Sequence, residues 1–188
     1  MQPQAITEAV TNLAPVERED VLPVAAPTPV ASVELFELEP ESQRVDAMVT
    51  MLLASGGARL EQEVRQDLAI TLGELLLNAI EHGCLGISYE EKSAALAGGQ
   101  LATLREERRA DPRLSGRRVW VQVVWTRTQV RFVIRDEGPG FDWRNAPDPT
   151  DPENLLRENG RGLAIAQWLV DSMQFNERGN EVTAIKRL

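Results

Sequence analysis

Two polar side chains one helical turn apart, Glu74 and Asn78, are the residues in this sequence best placed to do chemistry. Residues four apart on a helix lie on the same face, so the carboxylate and the amide share one space. An asparagine carbonyl oxygen is a hard, uncharged ligand that suits Mg²⁺ beside anionic phosphates. A carboxylate one turn away can orient or deprotonate a hydroxyl group or a water molecule. The pair therefore predicts phosphate chemistry, with Asn78 on the metal and Glu74 as the base.

Two glycine motifs further along the chain are expected to complete a nucleotide pocket. D-E-G-P-G, Asp136–Gly140, ends a predicted strand, and G-R-G-L, Gly160–Leu163, opens a predicted helix. Glycines let a backbone approach a ligand closely, and a helix start offers free N–H groups to phosphates. Asp136 only accepts hydrogen bonds, so it suits the exocyclic amine of adenine rather than the carbonyl of guanine. Each motif alone is also typical of an ordinary turn or helix start, but all three in this order indicate Mg-ATP.

The helix that carries Glu74 and Asn78, residues 67–83, is apolar on nearly all sides. That pattern is typical of a buried helix, and its polar residues recur every three or four positions as a narrow stripe. An unpaired buried carboxylate is costly, so we expect the stripe to line a ligand pocket. The alternative is a surface helix with a solvated face. The helix is predicted to begin near Ala58 or Leu60, to run to about His82 and to be capped by Gly83.

The rest of the chain alternates predicted strands and helices around this helix. Period-two alternation predicts strands, and apolar residues at helical spacing predict helices. Residues 137–160 form a long proline-rich loop, typical of a functional lid or of disorder. The predicted elements are an edge strand at 32–39, an amphipathic helix at 41–54, helical residues 88–109 with a break at Gly98-Gly99, a hairpin of 119–126 and 129–136, a helix at 162–173, and a last hairpin of 174–178 and 181–187.

Composition narrows the class of protein. With 43% hydrophobic and 26% charged residues the chain is typical of a globular domain, preceded by a proline- and alanine-rich segment, residues 1–31, predicted to be a disordered tail or linker. A net charge of −9 argues against general nucleic-acid binding. No apolar run is long enough for a membrane span, and no secretory signal is visible. The single cysteine, Cys84, suits a reducing cytosol, so we expect a cytoplasmic protein.

The three motifs together resemble those of the Bergerat-fold ATPases, the superfamily of gyrase, heat-shock chaperones, histidine kinases and mismatch-repair ATPases. Glu74–Gly83 resembles the N box, the two glycine motifs resemble the glycine boxes, and Thr183 resembles a late threonine that supports the adenine site. The resemblance covers about residues 32–188. It implies an α+β fold, a two-layer α/β sandwich whose mixed, mostly antiparallel sheet is covered on one face by helices, with an ATP lid at about 141–160. The implied nucleotide-binding residues are Asn78, Asp136, Gly138, Gly140, Gly160, Arg161, Gly162, Leu163 and Thr183, with Asn78 also on Mg²⁺ and Glu74 catalytic.

Within that superfamily, E-x-x-x-N-A-x-E-H-G, R-D-E-G-P-G-F-D and E-V-T-A-I-K-R are most similar to bacterial anti-sigma-factor serine/threonine kinases. That resemblance implies phosphorylation of a serine on a STAS-domain anti-sigma-factor antagonist, in a partner-switching pathway. It also implies that a sigma factor or another regulator is sequestered, and that a homodimer forms. Similar domains occur attached to response-regulator receivers and type-2C phosphatases, so an upstream domain of either kind is a further expected partner. Neither nucleic acid nor a membrane is expected.

Two functions remain open at this point. One is a protein kinase, and the other is an ATP-responsive binding module with little or no phosphotransfer. Glu74 favours the kinase, because a pure binder needs no positioned base. The catalytic domain of a histidine kinase is disfavoured, because no dimerisation helix with a phospho-acceptor histidine precedes the domain and His82 lies inside the N box.

An insert at about residues 86–118 separates the N box from the next strand, where simple anti-sigma kinases have a short turn. Arginines crowd its second half, at positions 105, 108, 109, 113, 117 and 118. We interpret them either as a solvated helix and loop or as a docking patch for an acidic partner. Four other residues near the motifs are expected to be structural: His82, Cys84, Trp143 and Trp168.

Overall fold

A single sheet forms one layer of the domain in the computed structural model, which describes residues 30–54, 60–145 and 161–188. Its strands are β1 (Val30–Leu38), β2 (Val119–Thr126), β3 (Gln129–Asp136), β4 (Ser172–Phe175) and β5 (Glu181–Arg187). They lie in the order β1-β2-β3-β5-β4, and each described pair is antiparallel. The predicted, mostly antiparallel sheet with an N-terminal edge strand is confirmed.

Helices form the second layer. In the described residues they are α1 (Val45–Ala54), α2 (Gln62–Asn78), α3 (Tyr89–Ala97), α4 (Leu101–Ala110) and α5 (Gly162–Leu169). A π-helix, Ala79–Cys84, continues α2 directly, and short 3-10 helices span Ser42–Arg44 and Trp143–Asn145. The predicted capping box at the start of α3 is present, because the Ser88 hydroxyl accepts from the Glu91 N–H while the Glu91 carboxylate accepts from the Ser88 N–H.

The core lies between the two layers. Alternation along β2 and β3 directs Val121, Val123 and Phe132 inward, where they are buried with the leucines of α2. The other face of the sheet exposes residues such as Val33 and Arg131. Helices therefore cover one face of the sheet, as the predicted two-layer α+β sandwich requires. Each fully buried leucine contributes about 1.5–3 kcal/mol to this packing.

The helix predicted at 162–173 is shorter in the structure. It ends at Leu169, and Val170 is extended, with φ −119° and ψ 159°. The Asp171 N–H donates to the Ile185 carbonyl at 2.9 Å, and the Asp171 carboxylate accepts from the Arg187 N–H at 2.7 Å. These bonds to β5 place the chain in the sheet from Asp171 onwards. Met173, which was predicted to lie in the helix, therefore lies in β4.

The first 29 residues, which hold most of the predicted tail, and residues 146–160, which hold most of the predicted lid and Gly160, lie outside the described residues. β1 begins at Val30, two residues before the predicted start of the domain. Of the helices in the described part of the chain, none is by itself long and apolar enough to cross a membrane. Gln62–Cys84 and Tyr89–Ala97 reach that length and apolarity only as a pair, with a bend of 107° between them.

Candidate functional site

The end of α2 carries the first predicted site residues. Glu74 and Asn78 are both half-buried, and Asn78 is the last residue of α2 before the π-helix begins. In that π-helix the Leu85 N–H donates to the Ile80 carbonyl at 2.8 Å, five residues back. Short π-helical segments often occur at functional sites. Thr71 lies on the same polar stripe, and its buried hydroxyl has no hydrogen-bond partner within the described residues, as expected of a stripe that lines a ligand pocket.

The first glycine motif contacts the π-helix directly. Asp136 is the last residue of β3, is only 8% exposed, and accepts a hydrogen bond at Oδ1 from the Gly138 N–H at 2.8 Å. A Cβ atom at Gly83 would overlap this carboxylate, 2.7 Å from Oδ2, and one at Gly138 would lie 2.7 Å from the Gly83 carbonyl carbon. The structure therefore brings the N box and the first glycine motif together. Gly83 is needed for this close approach and is not the helix cap that was predicted, because the π-helix continues through Cys84.

Burial dominates the electrostatics of Asp136. Loss of hydration raises the pKa of its carboxyl to about 6, while the Gly138 N–H and the charges of Arg117 and Arg178 act in the opposite direction. A carboxylate in such a poorly hydrated place gains more from a hydrogen-bond donor than one in water does. Asp136 is thus suited to accept a hydrogen bond from a ligand above about pH 6.

The turn between β4 and β5 braces this glycine motif from the other side. Asn180 Nδ2 donates to the Asp136 carbonyl at 2.8 Å, and the Asp136 N–H donates to the Asn180 carbonyl at 2.9 Å. The guanidinium of Arg178 donates to the carbonyls of Pro139 and Gly138, at 3.2 and 3.1 Å. Gly140 has φ +80°, and a Cβ there would lie 2.8 Å from the Arg178 carbonyl carbon. The turn residues Gly179-Asn180 predict this turn from the sequence, but no pattern in the sequence indicates its contact with the motif.

The second glycine motif meets Glu74. Gly162 is the first residue of α5, and a Cβ atom there would overlap the Glu74 carboxylate, 2.7 Å from Cδ. Arg161 precedes the helix and is exposed, whereas Leu163 is half-buried within it. The carboxylate of Glu74 therefore lies at the positive end of the α5 dipole, where an anion is favoured. Gly160 lies outside the described residues.

Thr183 is not brought to this site. It pairs with Val133 in the β3–β5 register, between the inward-facing Val182 and Ala184. Paired residues share a face, so Thr183 lies on the face opposite to the helices, while Asp136 shares the inner face with Phe132. Thr183 was expected to support the adenine site, but this register places it on the other face of the sheet from Asp136.

Three of the four residues expected to be structural have structural contacts. The Cys84 thiol is fully buried, and burial raises its pKa to about 12, so it is not a nucleophile near neutral pH. One ring nitrogen of His82, Nδ1, lies 2.6 Å from the Ile87 carbonyl oxygen, and Trp143 Nε1 donates to the Asn176 carbonyl at 2.9 Å. Trp168 differs from the expectation, because it is 65% exposed on α5.

Comparison with protein families agrees with this arrangement. The model of the histidine kinase-like ATPase domain matches residues 36–186, a range that includes Glu74, Asn78 and both glycine motifs. No curated protein matches the chain. The matched range spans β1 to β5 and most of the sequence, so this chain belongs to the family of histidine kinase-like ATPase domains, which bind ATP.

Proposed function

We propose that this domain is an ATP-dependent serine/threonine protein kinase of the anti-sigma type. Its substrate is a serine on a STAS-domain antagonist in a bacterial partner-switching pathway, and it also sequesters a sigma factor or another regulator in the cytoplasm. The observation that carries this proposal is the position of Glu74. Its carboxylate lies one turn from Asn78 and next to Gly162 at the start of α5.

The chain's own groups suit Mg-ATP. Asp136 accepts a hydrogen bond from the adenine amine, and Gly83 and Gly138 leave the backbone close to that carboxylate without side chains in the way. The free N–H groups at the start of α5 suit phosphate oxygens. Asn78 offers an uncharged oxygen to Mg²⁺, which is typically held by one or two protein ligands together with substrate phosphates. The described residues contain no group of three or more His, Cys, Asp or Glu that could hold a metal alone, which agrees with this shared mode.

Glu74 performs the proton transfer in this proposal. ATP supplies the phosphoryl group, and Mg²⁺ held by Asn78 would neutralise part of its charge. Glu74 accepts the hydrogen bond of the incoming serine hydroxyl, orients its oxygen, and takes its proton as the serine oxygen bonds to the γ-phosphorus. The bond from that phosphorus to the β–γ bridging oxygen breaks in the same transfer, and ADP leaves.

Single-turnover transfer of labelled phosphate to a STAS-domain protein tests this role. The Glu74→Gln variant keeps the shape of the side chain and removes its basicity, so transfer should fall by about 10²–10⁴-fold while ATP affinity changes only a few-fold. Asn78→Ala should weaken both ATP binding and transfer. Glu63→Gln is the matched control, because Glu63 is an exposed carboxylate on the same helix.

Two outcomes contradict the proposal in different ways. Transfer at the wild-type rate by Glu74→Gln would show that Glu74 is not the base. If the wild-type domain binds a STAS partner in an ATP-dependent way but transfers no phosphate to it, the domain is the binding module instead of the kinase.

A further inference from the structure

The insert is attached to the N box through a buried charge. Glu81, in the π-helix, is 0% exposed, and both of its cationic partners come from the insert. Lys92 Nζ of α3 lies 2.7 Å from Oε2, and Arg105 Nε of α4 donates to Oε1 at 2.9 Å. A buried carboxylate without such partners is strongly destabilising. The buried Glu81 carboxylate therefore connects both α3 and α4 to the π-helix.

The other arginines of the insert also contact the chain itself. Their ion pairs join α4 and the loop after it to acidic residues of the same chain. The pairs are Arg108 with Glu91, Arg109 with Glu41 and Glu106, Arg113 with Asp111, and Arg118 with Glu37.

Arg117 differs from these, because its contacts are with the backbone of the candidate site. Its NH1 donates to the carbonyls of Gly83 and Cys84, both at 3.1 Å, at the end of the π-helix. Gly83 is the residue that touches the Asp136 carboxylate, and its carbonyl lies against Gly138. Arg117 thus donates to the same carbonyl that the first glycine motif packs against.

We propose that Arg117 is a positioning residue of the adenine pocket, which holds the Gly83 carbonyl so that Gly83 stays against Asp136 and which places a positive charge near that carboxylate. This rests on the proposed binding of adenine by Asp136. The insert, anchored at Glu81, sets the path of the chain that delivers Arg117, and so acts as a support for the pocket.

The charges around Asp136 make the effect of Arg117 measurable. Arg117 and Arg178 both lower the pKa of the Asp136 carboxyl, against the larger effect of burial. The neighbouring Cys84 thiol is uncharged near neutral pH, because burial raises its pKa to about 12. The backbone hydrogen bond with Glu137 and the charge of Arg117 lower that pKa, whereas the charges of Asp136 and Glu137 raise it. Without the Arg117 charge, the pKa of Asp136 rises further towards neutrality, so the carboxylate is lost at a higher pH.

The experiment measures ATP affinity by calorimetry from pH 5.5 to 8.5 in the full chain. Arg117→Met should move the midpoint of the pH dependence upward by about one pH unit and weaken binding near pH 7. Arg117→Lys should restore the wild-type midpoint, because both carbonyl contacts come from one nitrogen that an ammonium can replace. Arg113→Met is the matched control, an arginine 87% exposed in the same loop, and should bind as wild type.

If Arg117→Met does not fold, Arg117→Gln serves, since its amide keeps a donor for a carbonyl and removes only the charge. The same midpoint in wild type and in the Met or Gln variant overturns the proposal, and a lowered melting temperature with that unchanged midpoint would make Arg117 purely structural. If the wild type binds no ATP, the proposed function fails, but carboxyl ¹³C NMR titration of Asp136 without nucleotide still decides the role of Arg117. An unchanged titration in Arg117→Gln refutes it, and an upward shift supports it.

Discussion

At the scale of single residues, burial of the Asp136 carboxylate suits it to bind a ligand but lowers the stability of the folded domain at neutral pH. Burial raises the pKa of its carboxyl from 3.8 to about 6, so the folded state binds the proton more tightly than the unfolded chain does. The stability that protonation provides is present below pH 3.8 and is lost as the pH rises to about 6. From the difference, 6 − 3.8 at 1.36 kcal/mol per pH unit, the ionised carboxylate costs about 3 kcal/mol at neutral pH.

Replacing Asp136 by Asn should therefore separate stability from binding. The free energy of unfolding of the variant should exceed that of wild type by up to about 3 kcal/mol at pH 7.5, so the variant is more stable. The difference should shrink as the pH falls from 6 towards 4. ATP affinity should fall by about 1.5–3 kcal/mol, because a charge-assisted hydrogen bond is lost. Urea denaturation at several pH values and calorimetry measure the two effects, with the exposed Glu107→Gln as control. A variant that is less stable at pH 7.5 and binds ATP normally would contradict both assignments.

Residue types and spacing were enough to select Glu74, Asn78 and Asp136 as candidates, because each has a side chain whose chemistry suits a nucleotide or its metal. The residues that hold the backbone next to Asp136 in place were not predictable in the same way. Asn180 and Arg178 act on the first glycine motif through backbone carbonyls, and any residue type provides a carbonyl. A contact of that kind leaves no pattern in the sequence.

At the scale of elements, the helix of the N box shows how far periodicity reaches. Its apolar pattern predicted one buried helix to about His82, and the structure has α2 followed by the π-helix over that range. The change to π hydrogen bonding after Asn78 could not be predicted, because the turn is shaped by contacts with Asp136, Gly138 and the insert. These partners lie far along the chain, beyond the reach of local propensity.

The glycines of α2 and the π-helix provide a test of that contact. Gly83→Ala places a Cβ atom inside the Asp136 carboxylate, so it should lower the free energy of unfolding by about 1–3 kcal/mol and weaken ATP binding. Gly73→Ala is the matched control within α2. It meets nothing within 4 Å, so it should raise stability by roughly 0.5–1 kcal/mol and leave binding unchanged.

A double-mutant cycle assigns the cause of the loss. In an Asp136→Ala background the carboxylate is gone, and Gly83→Ala should cost much less stability. An equal cost in both backgrounds would mean that Gly83 is needed for its backbone conformation and not for the approach of Asp136.

At the scale of the whole molecule, the order of the sheet assembles the site. β3 is central, with β5 beside it, so the end of β3 meets both the π-helix and the β4–β5 turn. Alternation and turn residues predicted each hairpin, yet register decides which face a side chain takes, and a one-residue difference reverses it. Thr183 illustrates this, because its sequence context indicated the adenine site and its pairing with Val133 places it on the other face.

Nucleotide choice is the property that the assembled pocket should confer on the whole domain. A ligand that binds only the folded state stabilises it by RT ln(1 + [L]/Kd), about 2.7 kcal/mol at one hundred times Kd. For a chain of 188 residues this corresponds to a rise in melting temperature of roughly 5–10 °C with Mg-ATP. Mg-GTP at the same concentration should produce almost no rise, because guanine presents a carbonyl where Asp136 requires a donor. Thermal denaturation with each nucleotide measures this, and in Asp136→Asn the stabilisation by ATP at that concentration should fall to about 0.3–1.3 kcal/mol, because the affinity falls by about 1.5–3 kcal/mol. Equal rises with ATP and GTP would refute adenine recognition by Asp136 while leaving the phosphate contacts of α5 and Asn78 in place.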